Sequence, residues 1–155
     1  MKVEGVYLVG RIKLLSGRIL NKLFIKNGLR EFNGEQGKIL YSLWKKDGIS
    51  STYISEETGL ALNTLTNMLD FMEKNDLLYR KQCKDDRRKK IVFLTDKGRS
   101  LQKKTQLVNV KLYSVFYKNF SPKEIYNFEK SLYKIVNNLL EESCNDKKIS
   151  RRVSE

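Results

Sequence analysis

Three features of the sequence predict a mostly α-helical (α+β) fold, a winged helix-turn-helix with six helices and a two-stranded β wing. Apolar residues recur every three or four positions over most of the chain, as they do in amphipathic helices. Residues 77–94 instead form two short β-type segments around a basic turn. Capping and turn residues separate the segments. The hairpin follows the fourth helix, and this order is the basis of the fold prediction.

The first two helices are bounded by start and stop signals. The first is predicted from Leu8 to about Ile25 and is ended by Asn27-Gly28. Its apolar stripe has coiled-coil-like spacing and consists of Leu8, Ile12, Leu15, Ile19 and Leu23. The second helix begins at Asn33, which is predicted to form a capping box with Gln36. Its predicted buried face is Ile39, Leu40, Leu43 and Trp44.

The third and fourth helices are predicted to form the helix-turn-helix. Residues 50–52 open a short third helix, and Gly59 lies where the turn requires a positive φ. The fourth helix has an apolar face made of Leu62, Leu65, Met68, Leu69 and Met72. Its opposite face is polar and consists of Asn63, Asn67, Asp70 and Lys74. We expect this polar face to be presented to a partner.

The hairpin and the last two helices complete the chain. Residues 77–83 and 89–94 are predicted to be strands, with the tip at residues 84–87. Thr95 is the predicted cap of a fifth helix over residues 96–118. A Ser cap, a Pro in the first turn and a Glu partner at residues 121–124 start the sixth. The polar, basic segment 145–155 is predicted to be disordered.

The composition favours one domain with an anionic partner. A chain of 155 residues buries one core, so residues 1–144 are predicted to be a single domain. The net charge is +13, from 31 Lys and Arg against 18 Asp and Glu. Residues 80–90 hold seven of these cations against Asp85 and Asp86. A hairpin of this charge beside a polar helix favours nucleic acid as the partner.

Several classes of protein are disfavoured. The chain has no histidine, which is the usual general base and the commonest zinc ligand. It also has no Gly-rich phosphate loop, nucleophile elbow or clustered carboxylate pair. We therefore expect neither an enzyme nor a cofactor or metal site. Cys83 and Cys144 form no CxxC pair, and no apolar run is long enough to span a bilayer, so we expect a soluble cytoplasmic protein.

Residues 50–99 resemble the MarR family of dimeric transcription regulators. Residues 60–66 and 69–74 are similar to the two halves of the family's recognition helix, and residues 86–88 and 94–99 are similar to its wing. The resemblance implies a DNA-binding lobe at about 33–99 and dimerisation helices at about 1–28 and 100–144. The chain departs from the family pattern at Asn67, Phe71, Asp76 and Cys83. Asp76 would need a positive φ if the turn keeps the family geometry.

The resemblance implies a homodimeric regulator that represses by binding a pseudo-palindromic operator in double-stranded DNA. We expect Asn63 or Asn67 to contact adenine in the major groove, while Thr64 or Thr66 contacts phosphate or a thymine methyl group. Ser51 and Thr52 are candidate phosphate donors, and helix capping explains them equally well.

The wing is expected to contribute the remaining contacts. Arg87 or Arg88 would enter the minor groove, and Lys84, Lys89 and Lys90 would bind phosphates. The family pattern favours Arg88 as the groove residue, oriented by Asp86. A solvated basic hairpin is the alternative.

Three further hypotheses remain open. Aromatic residues are candidates to line a cleft for a phenolic effector, although such residues usually serve packing: Tyr7, Tyr41, Trp44, Tyr113, Phe116, Tyr117, Tyr126 and Tyr133. Cationic neighbours of Cys83 favour its thiolate form, so Cys83 is a candidate redox sensor. The alternative is that it is an ordinary strand residue. A basic module that binds protein or RNA and has lost operator reading is the alternative function.

Overall fold

A computed structural model describes residues 3–83, 86 and 89–153, with side chains described as far as residue 143. The chain divides into two compact units, residues 1–114 and residues 115–155. Its helices and strands, in order, are α1 (Gly5–Lys26), α2 (Gly34–Lys45), β1 (Ile49–Ser50), α3 (Ser51–Thr58), α4 (Leu62–Lys74), β2 (Leu78–Gln82), β3 (Lys90–Leu94), α5 (Asp96–Ser100), α6 (Gln102–Phe116) and α7 (Pro122–Val153). This is the predicted mostly α-helical winged helix-turn-helix.

The predicted fifth helix is divided near its start. α5 ends at Ser100 and α6 begins at Gln102, so only Leu101 separates them. Leu101 keeps right-handed helical angles, with φ −75° and ψ −15°. The chain therefore turns at Leu101 without leaving the helical region of backbone space.

A third strand joins the two strands of the wing. β1 pairs with β3, with Ile49 opposite Val92 and Ser50 opposite Ile91, and the sheet order is β1-β3-β2. β1 was not predicted from the sequence, because two residues are too few to show an alternating pattern. This pairing places the start of α3 beside the first residues of β3.

Local signals set the helix boundaries as predicted. The Asn33 side chain accepts a hydrogen bond from the Gln36 backbone N–H, and the Gln36 side chain accepts one from the Asn33 N–H, both at 3.0 Å. Thr95 Oγ1 accepts from the Gly98 N–H at 3.0 Å. Gly59 has φ +71° and Asp76 has φ +58°, which confirms the two predicted left-handed positions.

One apolar core holds the helix-turn-helix and the sheet together. Its fully buried members come mainly from α2, α3, α4 and the two wing strands, and include Ile39, Leu43, Ile54, Leu65, Leu69, Met72, Leu78 and Val92. On the apolar face of α4, Leu62 is 53% exposed, whereas Leu65, Leu69 and Met72 are buried. Leu62 is the first residue of α4, where the preceding loop leaves it in solvent.

The close approach of α5 to β2 requires glycine at position 98. A Cβ atom built on Gly98 would lie 2.0 Å from the Leu77 carbonyl oxygen. The Trp44 Nε1–H, from α2, donates to the Gly98 carbonyl at 3.0 Å. α2, α5 and the beginning of the wing are therefore fixed together at this point.

The helix α1 buries little of its surface within its own unit. Phe24 is the one buried residue among its 22. Large apolar side chains are exposed along the rest of the helix: Val6, Tyr7, Leu8, Val9, Ile12, Leu14, Leu15, Ile19 and Ile25. No helix within the described part of the chain is long and apolar enough to cross a membrane.

The second unit is organised around aromatic contacts. The rings of Phe116, Tyr117, Phe120 and Phe128 lie within 4.9–6.5 Å of one another in the recorded pairs. Ser121 and Glu124 cap the start of α7, with the Ser121 N–H donating to Glu124 Oε2 at 2.8 Å. The helix continues to Val153, into the segment predicted to be disordered from residue 145. That segment has no Gly or Pro before Val153 to end a helix.

Candidate nucleic-acid interface

The helix α4 presents polar side chains to solvent. Leu65, Leu69 and Met72 anchor one face in the core, with exposed fractions of 1% or less. Asn63, Thr64, Thr66 and Asn67 are all exposed on the rest of the surface. The predicted contact residues of α4 are therefore accessible to a ligand.

The two asparagines of α4 keep their amides available. Among the side chains that the structure describes, neither Asn63 nor Asn67 has an intramolecular hydrogen-bond partner, whereas Thr66 Oγ1 donates to the Leu62 carbonyl at 2.9 Å. A free carboxamide offers one acceptor and two donors, which match the major-groove edge of adenine. Thr66 retains acceptor capacity and its methyl group.

A polar cleft joins the start of α3 to the start of β3. It has a volume of about 190 Å³ and is lined by Ser50, Ser51, Thr52, Lys89 and Lys90. The β1–β3 pairing creates it, because Ser50 lies opposite Ile91. Hydroxyl groups, ammonium groups and the first turn of a helix all favour an anion. Four residues predicted from separate parts of the sequence thus converge on one cleft.

The described part of the wing tip is held by short-range contacts. The Cys83 N–H donates to the Lys89 carbonyl, and the Lys89 N–H donates to the Asp86 carbonyl, both at 2.9 Å. The Lys89 ammonium lies 3.8 Å from Asp86 Oδ2. Cys83 is half-buried with a free thiol. Lys84, Arg87 and Arg88 lie outside the described residues, so their roles, and the orienting role of Asp86, stay predictions.

One arginine of the basic hairpin makes contacts with α4 that the sequence does not predict. Arg80, on β2, donates from Nε to Glu73 Oε2 at 3.0 Å and from Nη2 to Asp70 Oδ1 at 2.6 Å. The Arg80 side chain is only 15% exposed. Hydrogen bonding to Arg80 lowers the pKa of Glu73, and the same contact raises the pKa of Arg80. The charge of Arg80 is thus compensated within the chain, which reduces the hairpin's free positive charge.

A second arginine fixes the base of the wing. Arg99 donates from Nη1 to Asp47 Oδ2 at 2.6 Å and from Nη2 to the Leu94 carbonyl at 3.0 Å. Asp47 Oδ1 in turn accepts from the Leu94 N–H at 2.9 Å. These bonds tie the end of α2 to the end of β3. The spacing of Asp47 and Arg99 in the sequence gives no signal of this contact.

Comparisons with known proteins show which proteins these elements resemble. The family model described as MarR matches residues 32–90, from the loop before α2 to the start of β3. The HTH-type transcriptional regulator TtmR of Methylorubrum extorquens (strain PA1) is 35% identical over 74 residues, which cover 48% of this chain. The resemblance of this chain to the MarR family is carried by residues 32–90. The match spans 38% of the length of TtmR.

Solved MarR structures share the fold over most of this chain. A MarR transcriptional regulator from Methanosarcina mazei Go1 superposes with a TM-score of 0.78 at 18% identity, covering 91% of this chain and 93% of that protein. A cysteine-to-serine mutant of E. coli MarR, crystallised in complex with operator DNA, has a TM-score of 0.75 at 25% identity. That alignment covers 83% of this chain and 91% of the E. coli protein.

A separate cavity lies among α1, α2, α3 and α6. Its volume is about 360 Å³. Three of the eight aromatic residues proposed for an effector cleft line it, together with an apolar floor: Tyr41, Trp44, Tyr113, Leu20 and Phe24. Lys38 and Glu57 add one cation and one carboxylate.

The other five aromatic residues are not among those that line this cavity. Tyr7 is 65% exposed on α1, and Phe116 and Tyr117 pack against Phe128. Tyr126 and Tyr133 are 65% and 70% exposed. Helical spacing of aromatic residues therefore did not identify which of them share a cavity.

Proposed function

We propose that this chain is a sequence-specific regulator of transcription of the MarR type, which binds double-stranded DNA and represses by occluding a promoter. The observation that carries the proposal is the polar cleft between the starts of α3 and β3, where Ser51 and Thr52 meet Lys89 and Lys90. An exposed carboxamide face on α4 accompanies it. Phosphate contacts position a protein on DNA, and base contacts give specificity. The two sets of side chains fit these two tasks.

In this proposal α4 is the recognition helix and lies in the major groove. Asn67 and Asn63 are the adenine readers, and Thr64 and Thr66 contact a phosphate or a thymine methyl group. The cleft residues bind the phosphates that flank the groove. In the wing, Arg88 or Arg87 enters the minor groove with Asp86 orienting Arg88, and Lys84 binds phosphate together with Lys89 and Lys90.

We further propose that the chain acts as a homodimer. The exposed apolar stripe of α1 supports this, because a monomer would leave Leu8, Ile12, Leu15 and Ile19 in water. A two-fold dimer would bind a pseudo-palindrome whose half-sites lie about one helical turn apart. Sedimentation that finds only monomer at micromolar concentration would contradict the dimer.

The 360 Å³ cavity is the proposed site of a small aromatic effector. Tyr41, Trp44 and Tyr113 offer aromatic contacts, and the Trp44 indole also bonds to Gly98 at the base of the wing. An occupant that displaces Trp44 would act on the spacing of the two recognition helices. Because Trp44 is the single tryptophan of the chain, titration with phenolic compounds should change the intrinsic tryptophan fluorescence.

Fluorescence anisotropy at several salt concentrations tests the DNA-binding proposal. The duplexes are the chain's own upstream intergenic DNA and a scrambled sequence. We expect selective binding near physiological salt, weakened by Asn67→Ala and Arg88→Ala, with base-specific loss of about 1–3 kcal/mol for Asn67→Ala. Equal binding of both duplexes that disappears steeply as salt rises would indicate phosphate attraction alone and favour the interaction-module alternative.

A further inference from the structure

The contact of Arg80 with α4 joins the two parts of the proposed interface. Glu73 lies in the last turn of α4 and Arg80 lies in the middle of β2. Glu73 Oε1 accepts the Arg80 backbone N–H at 2.8 Å, while Oε2 accepts from the guanidinium of the same residue. One carboxylate therefore satisfies both the edge N–H of the wing strand and its side chain.

The geometry depends on the shape of arginine. A guanidinium presents several N–H donors in a rigid plane, and here Nε and Nη2 reach two carboxylates at once. A lysine ammonium keeps the charge but lacks this fork. The Arg80 side chain is mostly buried, so its charge is compensated by protein groups and only weakly by solvent.

The electrostatic position of the two carboxylates gives the contact a second effect. Asp70 follows Asn63 and Asn67 at helical spacing and is 58% exposed at its side chain. A bare carboxylate on this face would repel the phosphates of bound DNA. Arg80 compensates that charge without being exposed on the same surface.

We propose that Arg80 is a positioning residue for DNA binding, which holds the wing at a fixed place on the recognition helix and shields Asp70 and Glu73 from the DNA. This inference rests on the proposed DNA-binding function. Arg80 acts through the placement of Lys89, Lys90 and the α4 amides, and its own guanidinium stays on the protein carboxylates.

DNA affinity and its salt dependence separate positioning from direct phosphate contact. We expect Arg80→Gln and Arg80→Lys both to weaken binding by about tenfold or more, because neither restores the fork. The slope of log affinity against log salt concentration should decrease in magnitude by more than the loss of one phosphate contact would produce, because the wing lysines lose their phosphate contacts together. Lys81→Gln, the matched control, removes one exposed charge from the next position of β2 and should lower the slope by at most about one.

The sign of the Glu73→Gln effect is the sharper test. Removing a negative charge from a DNA-binding helix strengthens binding by simple electrostatics. If Glu73 holds Arg80 in place, Glu73→Gln weakens binding instead. Glu56→Gln is the control, because Glu56 is an exposed α3 carboxylate with no contact recorded in the described part of the chain. Tighter binding by Glu73→Gln, or full affinity in Arg80→Lys, would overturn the proposal.

Hydrogen exchange measured without DNA tests the contact of Arg80 with α4 in a way that does not depend on the choice of operator. The residue 80 amide should exchange faster in Arg80→Gln and Glu73→Gln than in the wild type or Lys81→Gln, with thermal unfolding used to confirm that each variant is folded. Unchanged exchange in both variants would overturn the positioning role. A wild-type chain that binds no duplex would overturn the proposed function, while the exchange result would still show whether Arg80 holds the wing on α4.

Discussion

The helices α4 and α1 belong to the same compact unit but are stabilised in different ways. α4 has 13 residues and buries Leu65, Leu69 and Met72 in the core. α1 has 22 residues and buries only Phe24. Each fully buried apolar side chain contributes about 1.5–3 kcal/mol, so α4 is fixed by its own chain. Most of α1 lacks such support, which is why we propose that a second copy of the chain covers its stripe.

The largest effect is expected where the winged-helix core is tightest. In Gly98→Ala the new methyl group would meet the Leu77 carbonyl oxygen at 2.0 Å, so α5 or β2 must move. We expect a loss of more than about 4 kcal/mol in the free energy of unfolding, or failure to fold. Urea denaturation measures it. A loss below about 1 kcal/mol would mean that this packing is far looser than the structure indicates.

A pair of leucine truncations compares the two helices directly. Leu65 is fully buried, so Leu65→Ala should cost about 3 kcal/mol of unfolding free energy. Leu15 is 46% exposed, so Leu15→Ala should change the unfolding of the monomer by less than about 0.5 kcal/mol.

Sedimentation of the same variants tests what covers α1. Leu15→Ala should shift the equilibrium towards monomer, whereas a folded Leu65 variant should keep the wild-type association. Because dimerisation stabilises by mass action, the unfolding measurements must be made at one fixed protein concentration. Unchanged association in Leu15→Ala would remove the stripe of α1 from the proposed interface.

Acid should lower the stability contributed by the contacts of α4 more than that contributed by α1. The pKa of Glu73 lies below its ordinary value of 4.5, chiefly through the hydrogen bond from Arg80. A lowered pKa contributes stability above the ordinary value and loses it as the pH falls through the folded value. Glu73→Gln should therefore flatten the stability curve below about pH 4.5. α1 contains no carboxylate to respond in this way.

Thermal unfolding from pH 6 to pH 3 checks this expectation. The control is Glu124→Gln in the second unit, where hydrogen bonds from Ser121 also lower the pKa of an exposed carboxyl group. Solvent screens that contact, so its effect should be smaller than that of Glu73→Gln. Equal flattening by the two variants would mean that the Arg80 contact adds no more than an exposed helix cap.

Much of the fold was predictable because its signals are local. The Asn33 capping box and the Thr95 cap each depend on a few consecutive residues, and each is present. The positive φ of Asp76 was implied by the resemblance of the turn to that of the family, and it too is present. β1 was not predictable because two residues carry no period. The exposure of Leu62 was not predictable, because helical spacing alone does not show where packing against the core begins.

The interface was predictable as a set of residues but not as an arrangement. Ser51 and Lys90 were identified separately, from capping and from charge, and only the β1–β3 pairing shows that they share a cleft. Arg80 was counted as a free cation of the hairpin, although its charge is compensated by α4. Contacts between elements depend on register and packing, which no single segment of sequence contains.

The smallest expected effect lies on the face of α1 opposite its exposed leucine stripe. Gly17 is within the helix, and a Cβ atom there would meet nothing within 4 Å. Gly17→Ala should stabilise α1 by about 0.5–1 kcal/mol, since alanine loses less backbone freedom in a helix. By helical spacing, Gly17 lies opposite Leu8, Leu15 and Ile19, so the substitution should leave dimerisation unchanged.

Helicity by circular dichroism and sedimentation, measured together, test this last expectation. Loss of dimer in Gly17→Ala would show that the partner approaches the glycine face of α1 and that the leucine stripe faces elsewhere. Increased stability with an intact dimer, beside the weakened dimer of Leu15→Ala, would assign the two faces of the helix. One face would then depend on a second chain, and the other only on the helix's own propensity.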